Sequence, residues 1–184
     1  SSKLKNADFR FEWYMPSGNN LSVALFYKDI ENPIEMVELA GVGGAAPQLL
    51  TANAQSGELT GIEVDFLTDF SFIHNDLSAI FLSGNVTLSD SSVELGINDA
   101  DGVDSLFEQQ LKEALEADSV SNIVTNNKRR LVGHSEWVAN LQMGYDSADG
   151  FHSTSVVYNV FGPRIIVPGT RGNEDAEEKS FHSL

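Results

Sequence analysis

The sequence predicts an all-β fold: an antiparallel up-and-down meander of six to seven strands that forms a partial segment of a transmembrane β-barrel. Three observations support this prediction. Apolar and polar residues alternate with a period of two, short turns alternate with long loops between these segments, and aromatic residues stand near the ends of the apolar faces. The combination is typical of outer-membrane barrels, which have short turns at one end and long loops at the other.

A first hairpin is predicted over about residues 6–30. One face of its first strand is apolar and carries Ala7, Phe9, Phe11, Trp13 and Met15. The opposite face is mostly charged and carries Asp8, Arg10, Glu12 and Tyr14. The turn-forming run Pro-Ser-Gly-Asn at residues 16–19 leads into a second strand, whose apolar face carries Leu21, Val23, Leu25 and Tyr27.

The same pattern repeats at about residues 58–90 and 134–162. The turns of these two hairpins are predicted at residues 74–76 and 147–150. The apolar positions of the second hairpin are Ile62, Val64, Phe66, Ile80, Leu82, Val86 and Leu88. Those of the third are Trp137, Ala139, Leu141, Met143, Tyr145, Val156, Tyr158 and Val160. A seventh strand is expected to begin near Glu177.

The links between the hairpins are long and occupy about residues 31–57, 91–133 and 162–176. Since the turns inside each hairpin have only a few residues, all long connections fall at one end of the predicted sheet. In an outer-membrane barrel that end faces outside and the short turns face the periplasm. We therefore interpret residues 1–184 as a single incomplete β-barrel segment.

Aromatic residues at the strand ends fit two kinds of protein. They would form the girdles of a membrane barrel, or they would fill the core of a two-layer soluble β protein. These residues are Phe9, Trp13, Tyr27, Trp137, Tyr145 and Tyr158. Alternation alone leaves both interpretations open. The strict alternation of short turns and long loops favours the barrel.

The composition excludes several classes of function. The 184 residues include 11 basic and 27 acidic ones, and a net charge of -16 argues against binding of nucleic acid. The absence of cysteine excludes disulfides, thiol catalysis and cysteine-ligated metals. No apolar run approaches the ~20 residues of a membrane-spanning helix, whereas barrel strands score as nearly neutral in hydropathy.

No set of nucleophile, base and orienting residue stands out, so we predict no catalytic residue and no enzymatic activity. His74, His134, His152 and His182 are scattered, and solvent-facing or hydrogen-bonded roles are expected for them. No cofactor-binding or metal-binding residue is predicted, and the pattern does not identify ligand-binding residues.

One acidic segment, residues 97–108, half resembles an EF-hand calcium loop. Asp99, Asp101, Gly102 and Glu108 match ligand or turn positions, but Ile97 stands where the first ligand should be Asp. The segment is therefore interpreted as an acidic, solvated loop.

Three further features fall in the long loops. Residues 103–118 have apolar residues at helical spacing, which predicts a short amphipathic helix. This helix is expected to pack on the barrel rim, and the alternative is a part in a cap that captures the ligand. Residues 41–46 are glycine-rich but lie outside any strand–helix unit, so a flexible outer loop is expected. The basic cluster Lys128–Arg130 would contact anionic lipid headgroups or an acidic ligand at the outer rim.

Several runs resemble the barrel of TonB-dependent outer-membrane receptors. Residues 6–14 (NADFRFEWY) are similar to the strand that opens a hairpin in these receptors, and residues 25–35 (LFYKDIENPIE) to a strand end followed by Asn-Pro-Ile. Residues 57–64 (GELTGIEV) resemble their Gly-hydrophobic-Glu strand. The best match joins residues 130–140 (RLVGHSEWVAN), 144–146 (GYD) and 158–165 (YNVFGPRI), with His134 where the family often has Gln.

The chain also departs from the family pattern. It contains no plug domain and no TonB box, its last residues do not form the aromatic-terminated final strand of such barrels, and the family's barrels have twenty-two strands. The expectation is an internal piece of a larger receptor. An open sheet of this kind has two unpaired edges and an uncovered apolar face, so the isolated fragment is expected to self-associate through them.

The resemblance implies a function in transport rather than catalysis. The family takes up scarce nutrients, such as iron-siderophores, cobalamin or glycans, across the outer membrane of Gram-negative bacteria. Its energy comes from the TonB complex, which acts through the plug domain that is absent here. The expected partners are outer-membrane lipid and a small nutrient ligand, with no nucleic acid and no cofactor. The alternative is a secreted or surface soluble β-sandwich, an adhesion or carbohydrate-binding module.

Overall fold

The computed structural model describes residues 2–15, 18–39, 48–96, 106–116 and 125–184. Its strands are β1 (Lys3–Tyr14), β2 (Asn20–Glu31), β3 (Ile34–Leu39), β4 (Gln48–Asn53), β5 (Ser56–Asp69), β6 (Ile80–Glu94), β7 (Lys128–Arg129), β8 (Trp137–Asp146), β9 (Ser153–Phe161), β10 (Arg164–Val167), β11 (Ala176–Glu178) and β12 (Phe181–Ser183). Helix α1 spans Leu106–Glu116, and a 3₁₀ helix spans Asn75–Ala79. No helix in the described part of the chain is long and apolar enough to cross a membrane.

The main sheet confirms the predicted antiparallel meander. Its strands lie in the order β1-β2-β5-β6-β8-β9-β12, and β7 pairs beside the loop end of β6. Among the strands that the structure describes, β1 and β12 each have a neighbour on one side only, so this sheet does not close into a barrel. This is the arrangement expected of a partial barrel.

The seventh strand of the main sheet lies a few residues beyond its expected position near Glu177. Residues Ala176–Glu178 instead form β11, which pairs with β10 in a separate two-stranded sheet. The chain reverses between these strands at Arg171 and Gly172, which both have positive φ angles. Strand β12, at Phe181–Ser183, then pairs with β9.

The register of the main sheet keeps like faces together. One row across six strands pairs Phe11 with Val23, Val64, Val86, Ala139 and Val160. Because side chains alternate along a strand, all other rows of the same parity lie on this side of the sheet. We call this side the apolar face and the opposite side, which carries Arg10, Asp65 and Asn140, the polar face.

The polar face is concave. A single cavity of about 630 Å³ is lined by Asp8 of β1, Lys28 of β2, Ser89 of β6 and Phe161 of β9. Residues from both ends of a six-strand sheet line one cavity only if the sheet curls around its polar side. The apolar face is therefore convex, as in the wall of a barrel with a polar lumen.

Aromatic rings cover two glycines on the polar face. A Cβ atom at Gly61 would lie 2.5 Å from the ring of Phe26, and one at Gly144 would overlap the ring of Phe81. Each aromatic residue is the direct cross-strand partner of its glycine. The rings occupy the space that a side chain would otherwise fill, which fixes the local register.

A small second core forms at the long-loop end. Its members are Val37, Ala52, Ala54, Val93, Leu95 and Leu111. The predicted loop 31–57 supplies the hairpin β3–β4, and the predicted helical segment supplies α1, whose Leu111 is 2% exposed. The chain turns from β2 into β3 at Asn32, which has a φ of 55°. Since Val93 has the parity of the polar face, this loop core lies on the lumenal side of β6.

The glycine–aromatic contact predicts a stability effect. Gly144→Ala forces the ring of Phe81 to move, and we expect a loss of about 1–3 kcal/mol in the free energy of unfolding, as for other overpacked sites. The measurement is the urea unfolding midpoint of the refolded chain in detergent micelles. Ser155→Ala, at the partner position of Gly144 on β9, is the matched control. Equal midpoints for Gly144→Ala and the unmodified chain would contradict this account.

Candidate functional site

The apolar face is uncovered. Phe9, Phe11, Trp13, Leu25 and Leu88 keep between 51 and 67% of their surface exposed. The buried hydrophobic residues of the described chain lie elsewhere, in the loop core and at Ile165. A soluble sandwich would bury this face under a second sheet, which the described residues do not supply. Such an exposed apolar face requires an apolar solvent.

The height of the apolar face matches a bilayer. On β1 it runs from Ala7 to Met15, which at ~3.3 Å per residue and a tilt of about 40° gives a band of about 20 Å. The next row toward the long-loop end is charged and contains Lys5, Asp29 and Glu58. The Nζ of Lys5 lies 3.4 Å from Asp29 Oδ2. The apolar band therefore ends where headgroups would begin, close to the ~25 Å of known barrels.

The polar face carries a charged network on the first strands of the sheet. The Nη2 of Arg10 donates to Ser22 Oγ at 2.8 Å and to Asp65 Oδ2 at 3.1 Å, and Ser22 Oγ donates to the same Asp65 oxygen at 2.9 Å. The Nε of Arg10 donates to Glu12 Oε1 at 2.8 Å. Three strands are thus linked by charge-assisted hydrogen bonds inside the curve of the sheet.

A buried ion pair fastens the loop core. The Nη1 of Arg129 lies 3.1 Å from Glu35 Oε2, with side chains only 2% and 7% exposed. Arg129 also donates to the carbonyl oxygens of Met36 and Arg130. Burial raises the pKa of the Glu35 carboxyl, and the opposing effects of Arg129 and the backbone of Val132 only partly offset it. The pair joins hairpin β3–β4 to β7, and through β7 to β6.

The predicted basic cluster at residues 128–130 is therefore only partly available to a lipid or ligand. Arg129 is buried against Glu35, and Arg130 Nη2 donates to Glu177 Oε1 at 2.6 Å. Lys128 alone keeps an exposed side chain. The basic cluster was recognisable in the sequence. The acidic partners of Arg129 and Arg130 lie 94 and 47 residues away along the chain, so no local pattern predicted these pairs.

His134 is held on the polar face between two serines. Its Nε2 lies 2.8 Å from Ser89 Oγ and its Nδ1 2.8 Å from Ser91 Oγ, which also accepts from the backbone N–H of Leu131. Burial lowers the pKa of the imidazole, and the charge of Arg130 lowers it further, while Asp90 and Glu136 oppose the shift. The ring fastens the segment before β8 to β6, the hydrogen-bonded role expected from the sequence.

The other histidines are dispersed. His74 caps the 3₁₀ helix by accepting from the backbone N–H of Asp76, and the ring of His182 lies 6.1 Å from that of Tyr158. His152 is exposed. No group of three or more potential metal ligands occurs among the described residues. The glycine-rich run 41–46 and most of the EF-hand-like segment 97–108 lie outside them.

Breaking the buried ion pair should loosen the loop end. Glu35→Gln leaves the guanidinium of Arg129 buried without a counter-charge, so we expect a local loss of about 3–5 kcal/mol. The measurement is hydrogen exchange of the amides of β3 and β4, which should speed up while those of β5 and β6 do not. Glu38→Gln is the control, because Glu38 lies on the same hairpin, is only partly buried and forms no ion pair with the residues that the structure describes. Unchanged exchange in Glu35→Gln would refute the role of the pair.

The lowered pKa of His134 predicts that the stability of the segment before β8 depends on pH, and it fixes the direction of that dependence. Its pKa is lowered in the folded chain, so the neutral form stabilises the fold at pH values above the unfolded pKa of ~6.5. This stabilisation is lost as the pH falls from ~6.5 through the folded pKa. Hydrogen-exchange protection of residues 131–135, corrected for intrinsic rates, should therefore fall on acidification.

A matched variant isolates this effect. His134→Gln keeps one donor and one acceptor for Ser89 and Ser91 but does not titrate, so its protection should be independent of pH. His152→Gln, which changes an exposed ring, should behave as the unmodified chain. A pH dependence that persists in His134→Gln would assign the effect to another group.

The comparison with protein families identifies the family. A family model described as TonB dependent receptor-like, beta-barrel, matches residues 2–182. The comparison with curated proteins found no match, and the comparison with solved structures found none. Receptors with this barrel are transporters of the outer membrane of Gram-negative bacteria. The family model spans nearly the whole meander, including the strands that form the convex apolar face. The chain therefore belongs to the TonB-dependent receptor family, as part of its β-barrel domain.

Proposed function

We propose that this chain forms part of the barrel wall of a receptor that takes up a scarce nutrient, of the iron-siderophore, cobalamin or glycan class. Energy would come from the TonB complex through a plug domain. The observation that carries the proposal is the uncovered apolar face, which extends over six strands and ends in a charged row at the long-loop end. A transporter wall needs this surface, and a soluble module has no use for it.

Each surface of the sheet has a part in this function. The convex apolar face contacts outer-membrane lipid, and the concave polar face lines the lumen. The loops at about residues 31–57 and 91–133 lie at the end that meets the nutrient. Described parts of both loops contribute to the loop core, which packs on the lumenal side of β6.

The isolated chain is proposed to self-associate. Every residue of β1 is exposed, and none of the described strands pairs with its outer edge. In a complete barrel this edge pairs with another strand of the wall, and in isolation a second copy satisfies the same backbone groups. The alternative of a soluble adhesion or carbohydrate-binding sandwich is weaker, because the apolar face has no covering layer among the described residues.

Two tryptophans provide a direct test of the lipid-facing surface. Trp13 and Trp137 are the two tryptophans of the chain, and both lie on the apolar face, on strands at opposite sides of the sheet. In the chain inserted into phospholipid vesicles, brominated acyl chains should quench both and aqueous acrylamide should quench neither. The single-tryptophan variants Trp13→Phe and Trp137→Phe report on each position separately. Quenching by acrylamide alone would contradict the proposal.

Localisation provides a second test in the source cells. An antibody against the chain should detect its protein in the outer-membrane fraction. Detection in the soluble or secreted fraction would instead support the binding module.

A further inference from the structure

The hairpin β3–β4 continues the hairpin β2–β5 without a change of register. Glu31 faces Ser56 at the end of the first ladder, and Ile34 faces Asn53 at the start of the second, so two residues intervene on each strand. Backbone hydrogen bonds of 2.7 and 3.4 Å join these intervening residues across the gap. The two ladders are therefore one antiparallel hairpin with a bend in it. We call its outer part, β3–β4, the flap.

The bend depends on the backbone of Asn32. Its φ is 55°, in the left-handed region that asparagine tolerates better than most other residues with a side chain. The next residue is Pro33, and a residue before proline is sterically biased toward extended conformations. The local preference of the sequence is therefore a straight strand that runs from β2 into β3. A left-handed residue persists against such a preference where contacts elsewhere hold it.

The flap leans toward the lumen. By register, Glu35 and Val37 have the parity of the apolar, convex side of β2. Val37 nevertheless packs in the loop core with Val93, which has the lumenal parity of β6. The convex side of the flap meets the lumenal side of β6 only if the flap tilts inward behind that strand.

The buried ion pair is the latch that holds the flap in this position. Arg129, which faces Val93 in the ladder, lies 3.1 Å from Glu35 and donates to the carbonyl oxygen of Met36 at 3.2 Å. Both charges are removed from water, and the Nε of Arg129 has no acceptor among the described residues. Because a buried pair offsets its desolvation only when its remaining groups are satisfied, the latched position has an energetic cost of its own.

The side of the flap that faces away from β6 is uncovered. Ile34 and Leu49 have this parity, and they keep 68% and 54% of their surface exposed. The described residues thus place no covering layer there. The loop core and the latch are the contacts that the flap would lose by tilting outward.

We propose that the flap is a hinged element with two positions. In the position observed, Asn32 is left-handed and the latch holds the flap on the lumenal side of β6. In the other position Asn32 is extended, the latch is broken, and the flap continues the β2–β5 ladder in line with the wall. The use of this movement in uptake rests on the proposed function, which places the flap at the end that meets the nutrient. The hinge itself does not depend on it.

The test measures the position of the flap in the full chain inserted in phospholipid vesicles. The chain has no cysteine, so Leu49→Cys on the flap and Asn159→Cys on β9, both at exposed positions, provide the two sites for spin labels. Pulsed electron paramagnetic resonance gives the distance between them. Six residues of strand span about 20 Å, so an outward swing should lengthen this distance by about 10 Å. The doubly labelled chain without further changes should show mainly the short distance.

Two substitutions at one position isolate the hinge. Asn32→Val disfavours the left-handed conformation, so the long distance should become the major population. Asn32→Gly adopts that conformation readily and should keep the short distance. Both variants lose the carboxamide, so the difference between them reports on the backbone alone. Glu35→Gln breaks the latch and should raise the population with the long distance about fivefold or more, whereas Glu38→Gln should leave it unchanged.

The outcomes separate the flap from the proposed function. Equal distances in Asn32→Val and Asn32→Gly overturn the hinge, and a short distance that persists in Glu35→Gln overturns the latch. Hydrogen exchange of the amides of β5 and β6 verifies that each variant keeps the main sheet, so that unfolding is not mistaken for an outward swing. A chain whose tryptophans are quenched by acrylamide alone overturns the proposed function, and the same distances measured in detergent micelles then decide the flap.

Discussion

The register of six neighbouring strands is the constraint on which the rest of the structure depends. A shift of one strand by one residue would move its apolar side chains to the lumen and its charges to the lipid. The rows that cross the sheet show no such shift, and Phe11 of β1 is aligned with Val160 of β9 through four intervening strands. Inside a bilayer this ladder must also satisfy every backbone N–H and C=O, because no water is available to do so. The same pairing therefore provides stability, sidedness and curvature.

The long-loop end is stabilised by side-chain burial and a buried ion pair, whereas the main sheet is stabilised by the pairing of its strands. There the chain lies beyond the apolar band, and it builds a small water-excluding core around Val37, Val93 and Leu111. Six small or medium side chains bury little surface, so the buried pair of Glu35 and Arg129 has a large effect on how the hairpin is oriented. Removing either charge would leave the other desolvated, which costs more than the pair itself contributes. The loop end is thus specified by polar contacts, whereas the sheet is specified by its two-sided pattern.

The two halves of the polar face differ in how far their polar side chains are hydrogen-bonded to one another. Arg10, Ser22 and Asp65 satisfy one another across β1, β2 and β5, which leaves that part of the lumen largely self-sufficient. Among the described residues, the side-chain hydrogen bond of the carboxamides on β6, β8 and β9 is the one from Asn140 Nδ2 to Asn85 Oδ1.

The sequence by itself determined the class of fold and the sidedness of the six main strands, because a period of two and the length of a turn are local properties. It also indicated the family, through the resemblance of runs such as residues 130–140 and 158–165 to the barrel of TonB-dependent receptors. It also located an amphipathic helix and the basic cluster at residues 128–130. It did not determine which distant residues meet. The partners of Arg129 and His134 lie 94 and 43–45 residues away, and only the strand register brings Glu35, Ser89 and Ser91 to them. The hairpin β3–β4 was missed within a predicted loop, since its strands are short and pack on a core that exists only after β6 and α1 are in place. The tertiary structure alone decided these contacts, because burial and charge pairing depend on positions in space rather than on spacing along the chain.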